Sequence, residues 1–101
     1  PNNNTTTTED LTDLNIRVIN RNLNNIEAGY AILVDNSFYK NGTSLREGYV
    51  KEEVPSNSSI KIFSYPLENQ RFYSDNISFF VPFNSTPYRI DLKINTIGKL
   101  D

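Results

Sequence analysis

Apolar side chains recur at every second position in several short stretches of this chain. From Leu14 to Ile19, Leu14, Ile16 and Val18 alternate with Asn15 and Arg17, which predicts a strand with one face buried and one face wet. Tyr88 to Asn95 has the clearest alternation: Tyr88, Ile90, Leu92 and Ile94 fall on one side, Arg89, Asp91 and Lys93 on the other. Between them, Ala28 to Asp35 is almost wholly apolar, and its short length fits a central strand covered on both sides. Phe38 and Tyr39 read as a brief strand that ends in an Asn41-Gly42 hairpin turn, because that dipeptide readily supplies positive φ angles. Gly48 opens a strand through Tyr49 to Val54, and Pro55 closes it since proline cannot donate to a ladder. Ile60 to Tyr65 places Ile60, Ile62 and Ser64 on one face and Lys61, Phe63 and Tyr65 on the other. Pro66 to Asn76 is the longest interruption, with Phe72 and Tyr73 expected to fold back on the end of the core. Ile77 to Phe83 is the sixth strand. About seven short strands at intervals of roughly 10 to 12 residues predict an all-β, antiparallel sandwich. The strand near Phe38 and the charged run Lys51 to Glu53 are the expected sheet edges, where charge opposes unwanted pairing.

The pattern also divides the chain. Residues 1–13 begin PNNNTTTTED, without a large apolar side chain in the first ten, and read as a polar linker or an arm that pairs with another subunit's sheet edge. Residues 14–97 form the sandwich, and residues 98–101 are a tail or the start of a following domain. No apolar run approaches the roughly 18 residues that span a bilayer, so no direct membrane insertion is expected.

Composition agrees with strands. Asn, Ser and Thr supply 32 of the 101 residues and Ala only two, so competitors for helical hydrogen bonds outnumber the best helix former. Net charge is −2 with both signs interspersed, which leaves no basic patch for phosphates and makes nucleic acid an unexpected partner. Histidine and cysteine are absent. Without them a Ser-His-Asp triad, a cysteine nucleophile, a disulfide framework and a thiolate metal site are excluded. Only carboxylates, lysine and hydroxyls remain for chemistry, and they are scattered, so the expectation is a protein that is not an enzyme and needs no cofactor.

At Ile26 the chain reaches residues that carry a likeness. An opening strand, then IEAGYAIL, a Thr43-Ser44 turn, GYVKEEVP and IKIFSY resemble the carboxypeptidase regulatory-like, transthyretin-like group of immunoglobulin-like sandwiches. Ile26 matches that family's Ile, Gly29 stands where a small Ala is usual, and Ala31 and Leu33 match its Val positions. Gly48, Val50, Val54 and Pro55 match its second half. Asn25 replaces the usual Pro, Ala28 and Gly29 exchange the Gly-Ala order, and Glu52 occupies a position that is normally apolar. The likeness covers Leu14 to Tyr65. It implies an immunoglobulin-like (transthyretin-like) fold and a non-catalytic module of an extracellular protein that stiffens, spaces or binds carbohydrate.

Three sets of residues are candidates for sites. Asp35, Asn36, Glu52 and Glu53 offer the oxygens that calcium needs, although as a turn initiator and strand-edge charges they need no metal. Tyr39, Tyr49, Tyr65, Tyr73 and Tyr88 are possible platforms for a sugar, although several lie on strands where a ring ordinarily packs in the core or across strands; Tyr39, Tyr49 and Tyr73 are the stacking candidates. Asn-x-Ser/Thr sequons occur at Asn3, Asn4, Asn41, Asn57, Asn76 and Asn84, more than the roughly 2 to 3 expected by chance. They make the chain a candidate glycoprotein. The leading expectation is therefore a structural, spacer or adhesion module of a secreted or cell-surface protein, whose partners are neighbouring domains or subunits and glycans. The alternatives are a carbohydrate-binding module and a virion or extracellular filament subunit that assembles through its N-terminal arm.

Overall fold

The computed structural model describes residues 10–96, and among them the chain holds ten strands and no helix. They are β1 (Leu11–Ile19), β2 (Asn25–Ile26), β3 (Gly29–Val34), β4 (Ser37–Thr43), β5 (Val50–Pro55), β6 (Ser58–Tyr65), β7 (Phe72–Tyr73), β8 (Asn76–Val81), β9 (Tyr88–Lys93) and β10 (Asn95–Thr96). The seven stretches read from the sequence are β1, β3, β4, β5, β6, β8 and β9. The expected arm over residues 1–9 and the tail after Thr96 lie outside the described residues.

Two sheets face each other. One runs β4-β3-β6-β8, antiparallel throughout. In the other β1 is central: β5 and β2 share one of its edges in antiparallel pairing, and β9 lies along the opposite edge. That last pair is parallel, from Leu14 beside Tyr88 to Ile19 beside Lys93. It is the one departure among the long strands from the antiparallel expectation. A small β7–β10 ribbon stands apart. β4 and β5 are edge strands, as their charge and shortness suggested.

The core is the alternation made solid. Leu14, Ile16 and Val18 from β1, with Ile90 and Leu92 from β9, meet Tyr30 and Ile32 from β3 and Ile60 and Ile62 from β6, all of them buried. Each fully buried aliphatic side chain is worth about 1.5–3 kcal/mol of transfer free energy, which is what holds a domain without disulfides. Strand β1 begins at Leu11, so residues 11–13, assigned above to the linker, are ladder. Thr12 is buried, its hydroxyl 2.6 Å from that of Ser56. Strand β3 is central in its sheet, but its outer face is less covered than expected. Ala31 is buried there and Leu33 only half-buried.

The hairpin turn expected at Asn41-Gly42 is elsewhere. Both residues lie inside β4, and the tight turn between β3 and β4 is Asp35-Asn36, with φ of 51° and 69°. Val34 pairs with Ser37, so this is a two-residue connection whose positive φ angles Asp and Asn tolerate better than other side chains. The Asp35 carboxylate accepts the Ser59 N–H at 2.9 Å and the Asp35 N–H donates to the Ser59 carbonyl at 2.8 Å, which tethers the turn to β6. Gly42 has a different task. It sits directly opposite Tyr30, and a Cβ there would lie 2.5 Å from the Tyr30 hydroxyl oxygen. Gly29 is likewise opposite Tyr65, whose ring a Cβ would meet at 2.2 Å. In both pairs the missing side chain is what lets a tyrosine lie across the neighbouring strand.

Candidate functional site

The register delivers one buried charge. Counting by twos from Val50 and Val54 points Glu52 inward, opposite Leu14, and it is 7% exposed. Its partners come from the facing sheet. Lys40 Nζ lies 2.7 Å from Glu52 Oε1, and the Tyr30 hydroxyl donates to Oε2. Lys40 reaches this place through a bulge: Ile32 pairs with Lys40 but Leu33 with Phe38, leaving Tyr39 as the extra residue. The bulge turns Lys40 toward the sandwich and Phe38 away from it. Burial pushes the Tyr30 phenol far above its usual range, and the hydrogen bond to Glu52 pushes it further. The hydrogen bond and charge of Glu52 also raise the Lys40 ammonium. A cleft of about 310 Å³ lined by Leu11, Tyr39, Lys40, Lys51, Glu52 and Glu53 opens beside them. Chemically this is a closed circuit. The carboxylate already holds two donors, and the lysine is kept protonated, which suits cross-linking of the sheets rather than proton or acyl transfer.

The calcium candidates do not converge. Asp35 and Asn36 form the β3–β4 turn, Glu52 points into the sandwich, and Glu53 is exposed on the other face of β5. No group of three or more acidic side chains fit to hold a metal occurs among the described residues. The turn-initiator reading of Asp35-Asn36 is thus the one the structure shows. The reading of Glu52 as a strand-edge charge is corrected, since its side chain faces inward. Its position had a legible signal in the period-two count and in the family likeness, where an apolar residue is usual.

The three stacking candidates are on separate elements. Tyr39 is the exposed bulge residue of β4, and Tyr73, on β7, is 64% exposed. Tyr49, just before β5, is half-buried with the guanidinium carbons of Arg17 and Arg89 at 5.1 and 5.4 Å from its ring centre. Tyr49 therefore belongs to a charged cluster on the outer face of the β1 sheet. Arg17 donates to Asp91 at 2.9 Å, and Arg89 approaches the same carboxylate at 3.5 Å. Partial burial pushes the Asp91 carboxyl up, but the hydrogen bonds and charges of Arg17 and Arg89 outweigh it and hold the group below the usual carboxylate range.

Tyr65, a strand ring for which packing is expected, is better placed. Tyr65 projects from the outer face of the β4-β3-β6-β8 sheet, lies across Gly29, and its hydroxyl accepts from Asn41 Nδ2 on β4 at 3.3 Å. Phe63 follows with its ring centre 6.5 Å away. This face also carries Ala31, Leu33 and Phe38, and Lys61 is its only charge between β4 and β8. Of the sequons, Asn41, Asn57, Asn76 and Asn84 are all exposed, with Asn57 and Asn84 in turns at φ of 58°. Asn3 and Asn4 lie outside the described residues.

Compared with known proteins, the chain matches no family model and no curated sequence.

Proposed function

We propose that the chain is a non-catalytic spacer or adhesion module of a secreted or cell-surface protein, built as an immunoglobulin-like sandwich of the carboxypeptidase regulatory-like kind. The observation that carries this reading is the parallel β1–β9 pair. The first and last long strands lie side by side and run the same way, so the chain enters β1 at Leu11 and leaves β9 at Lys93, at opposite ends of the sheet. Lys93 lies beside Ile19, so at roughly 3.3 Å per residue the two points are separated by about 26 Å along the strands. Such a unit links its neighbours in line. Tension between them shears the β1–β9 ladder, loading its evenly spaced hydrogen bonds together rather than one after another. The Glu52–Lys40–Tyr30 link fits the same task, since it ties one sheet to the other.

Single-molecule pulling tests the reading. Attached through Asp10 and Ile94, the domain is expected to unfold at a force at least about twice that required when the handles are at Asn57 and Pro82. There β6 and β8 peel apart from the Ser58–Val81 end, and forced rupture follows the unfolding barrier along the pulled direction. Equal forces in the two geometries would remove the argument for a load-bearing spacer.

A further inference from the structure

We infer that Asn41 is an N-glycosylation site whose first sugar packs against Tyr65, so that the chain's own glycan covers the outer face of the four-stranded sheet. Three features on that face carry the inference. Asn41-Gly42-Thr43 is a sequon lying within strand β4, and the period of two puts Asn41 and Thr43 on the same outward side. Both side chains are exposed. The acceptor nitrogen, Asn41 Nδ2, already sits 3.3 Å from the Tyr65 hydroxyl. Tyr65 lies down along the sheet because Gly29 beneath it has no side chain, and Gly29 is directly opposite Tyr65 and Thr43. Finally, the surroundings are neutral and amphipathic: Ala31 and Phe63 continue the surface in the next row across the sheet, and Lys61 is the sole charge. A pyranose has one apolar face and a rim of hydroxyls, which matches an aromatic ring bordered by an amide and a hydroxyl better than it matches the charged outer face of the β1 sheet.

The modification itself balances. In the secretory pathway Asn41 Nδ2 attacks C1 of the first sugar of a lipid-diphosphate-linked oligosaccharide. The C1–N bond forms, the C1–O bond to the diphosphate breaks, the lipid diphosphate departs, and one proton of the amide is lost. The remaining amide N–H can still donate to Tyr65. Since the new sugar is one bond from Nδ2, it is held near the edge of the ring and packs there without the translational and rotational cost that a free saccharide would bear. Asn76 stands in the same row as Asn41, opposite Phe63, so its sequon borders the other side of this face.

The test uses the full chain secreted from a yeast host and the same chain made without glycosylation in a bacterium. Glycopeptide mass spectrometry should find Asn41 occupied, and nuclear Overhauser contacts should join the first sugar to the Tyr65 ring. The secreted chain should melt several degrees above its Asn41→Gln variant, and that difference should vanish in a Tyr65→Leu background. The ring contacts stand as the readout should Tyr65→Leu fail to fold. An unoccupied Asn41 beside occupied Asn57 and Asn84 overturns the inference, as does an occupied site with no ring contacts and a melting difference indifferent to Tyr65. Free chitobiose is the other arm. If it shifts Tyr65 signals in the bacterial chain while Asn41 stays unmodified in the secreted one, the face is a site for free saccharide and the inference fails. None of these outcomes bears on the pulling experiment, so the spacer reading stands or falls separately.

Discussion

Glu52 holds a charge where the fold could have held a hydrocarbon, and its energetics are set by what surrounds it. A carboxylate taken out of water must be compensated by hydrogen bonds and an opposite charge, or its burial is strongly unfavourable. Two donors do this, Tyr30 and Lys40, but Lys40 is 55% exposed, so water screens its share and the phenol is the partner with nowhere else to turn. Glu52→Gln keeps an acceptor for Tyr30 and is expected to lower unfolding free energy by about 1–2 kcal/mol. Glu52→Ala strands the hydroxyl and is expected to lower it by about 2–4 kcal/mol, with urea unfolding as the measurement. Equal losses would mean that Tyr30 finds another partner. Alkali should expose the same link. The Tyr30 and Lys40 values are both raised in the folded chain, so more protons are bound folded than unfolded once pH passes their ordinary values near 10. Stability from these groups is complete below about pH 10 and falls as pH climbs through the folded values. Asp91 works in the opposite sense: its lowered value supports the fold above about pH 4 and gives that support up in acid. The inward place of Glu52 was legible by counting from Val50. That Lys40 would meet it was not, because the meeting depends on a one-residue bulge at Tyr39 that no alternation of apolar residues reveals.

At the scale of the strand, two glycines with the same cross-strand geometry should respond unequally to the same change. A Cβ on Gly29 would come closer to a tyrosine, 2.2 Å from the Tyr65 ring, than one on Gly42, 2.5 Å from the Tyr30 hydroxyl oxygen. Distance alone does not decide it. Tyr65 is half-exposed on the outer face and can swing into solvent, whereas Tyr30 is 1% exposed, packed in the core and tied to Glu52, so nothing can yield. Gly42→Ala is therefore expected to destabilise by about 2–3 kcal/mol, in the range of overpacked cores, and Gly29→Ala by about 1 kcal/mol or less, since alanine is the better residue for a strand. Thermal unfolding of the two variants checks the order, and a larger loss for Gly29→Ala would refute it. These contacts also explain why the turn predicted at Asn41-Gly42 lies elsewhere in the fold. Asn41-Gly42 has the composition of a tight turn, but the glycine is there to clear space for Tyr30, and the turn went to Asp35-Asn36, where Val34 and Ser37 close the ladder. Local composition carries turn preference. It carries no trace of a ring arriving from the next strand.

For the whole molecule the decisive pairing joins distant segments. Arg17 and Asp91, neighbours across β1 and β9, are 74 residues apart in sequence, while Ile62 of β6 stands opposite Ile77 of β8, a short excursion away. Alternation showed which side chains face inward on β1 and β9, but it is blind to which strands pair and in which direction, and the parallel pair was accordingly unseen. The same separation governs folding order. Closing a long loop reduces chain entropy before its contacts compensate, so the β6–β8 and β3–β6 pairs are expected to form early and the β1–β9 ladder late. Leu92→Ala and Ile62→Ala both empty fully buried sites and should each destabilise by about 2–5 kcal/mol, yet they should divide that loss differently. Leu92→Ala is expected to speed unfolding with little change in refolding rate, and Ile62→Ala to slow refolding. Stopped-flow chevrons separate the two. Were Leu92→Ala to slow refolding as much as Ile62→Ala, the β1–β9 ladder would already be built at the barrier. A ladder that forms late is the first to rupture on unfolding, and for the spacer proposed above the resistance to tension would then reside in the strands through which tension enters and leaves.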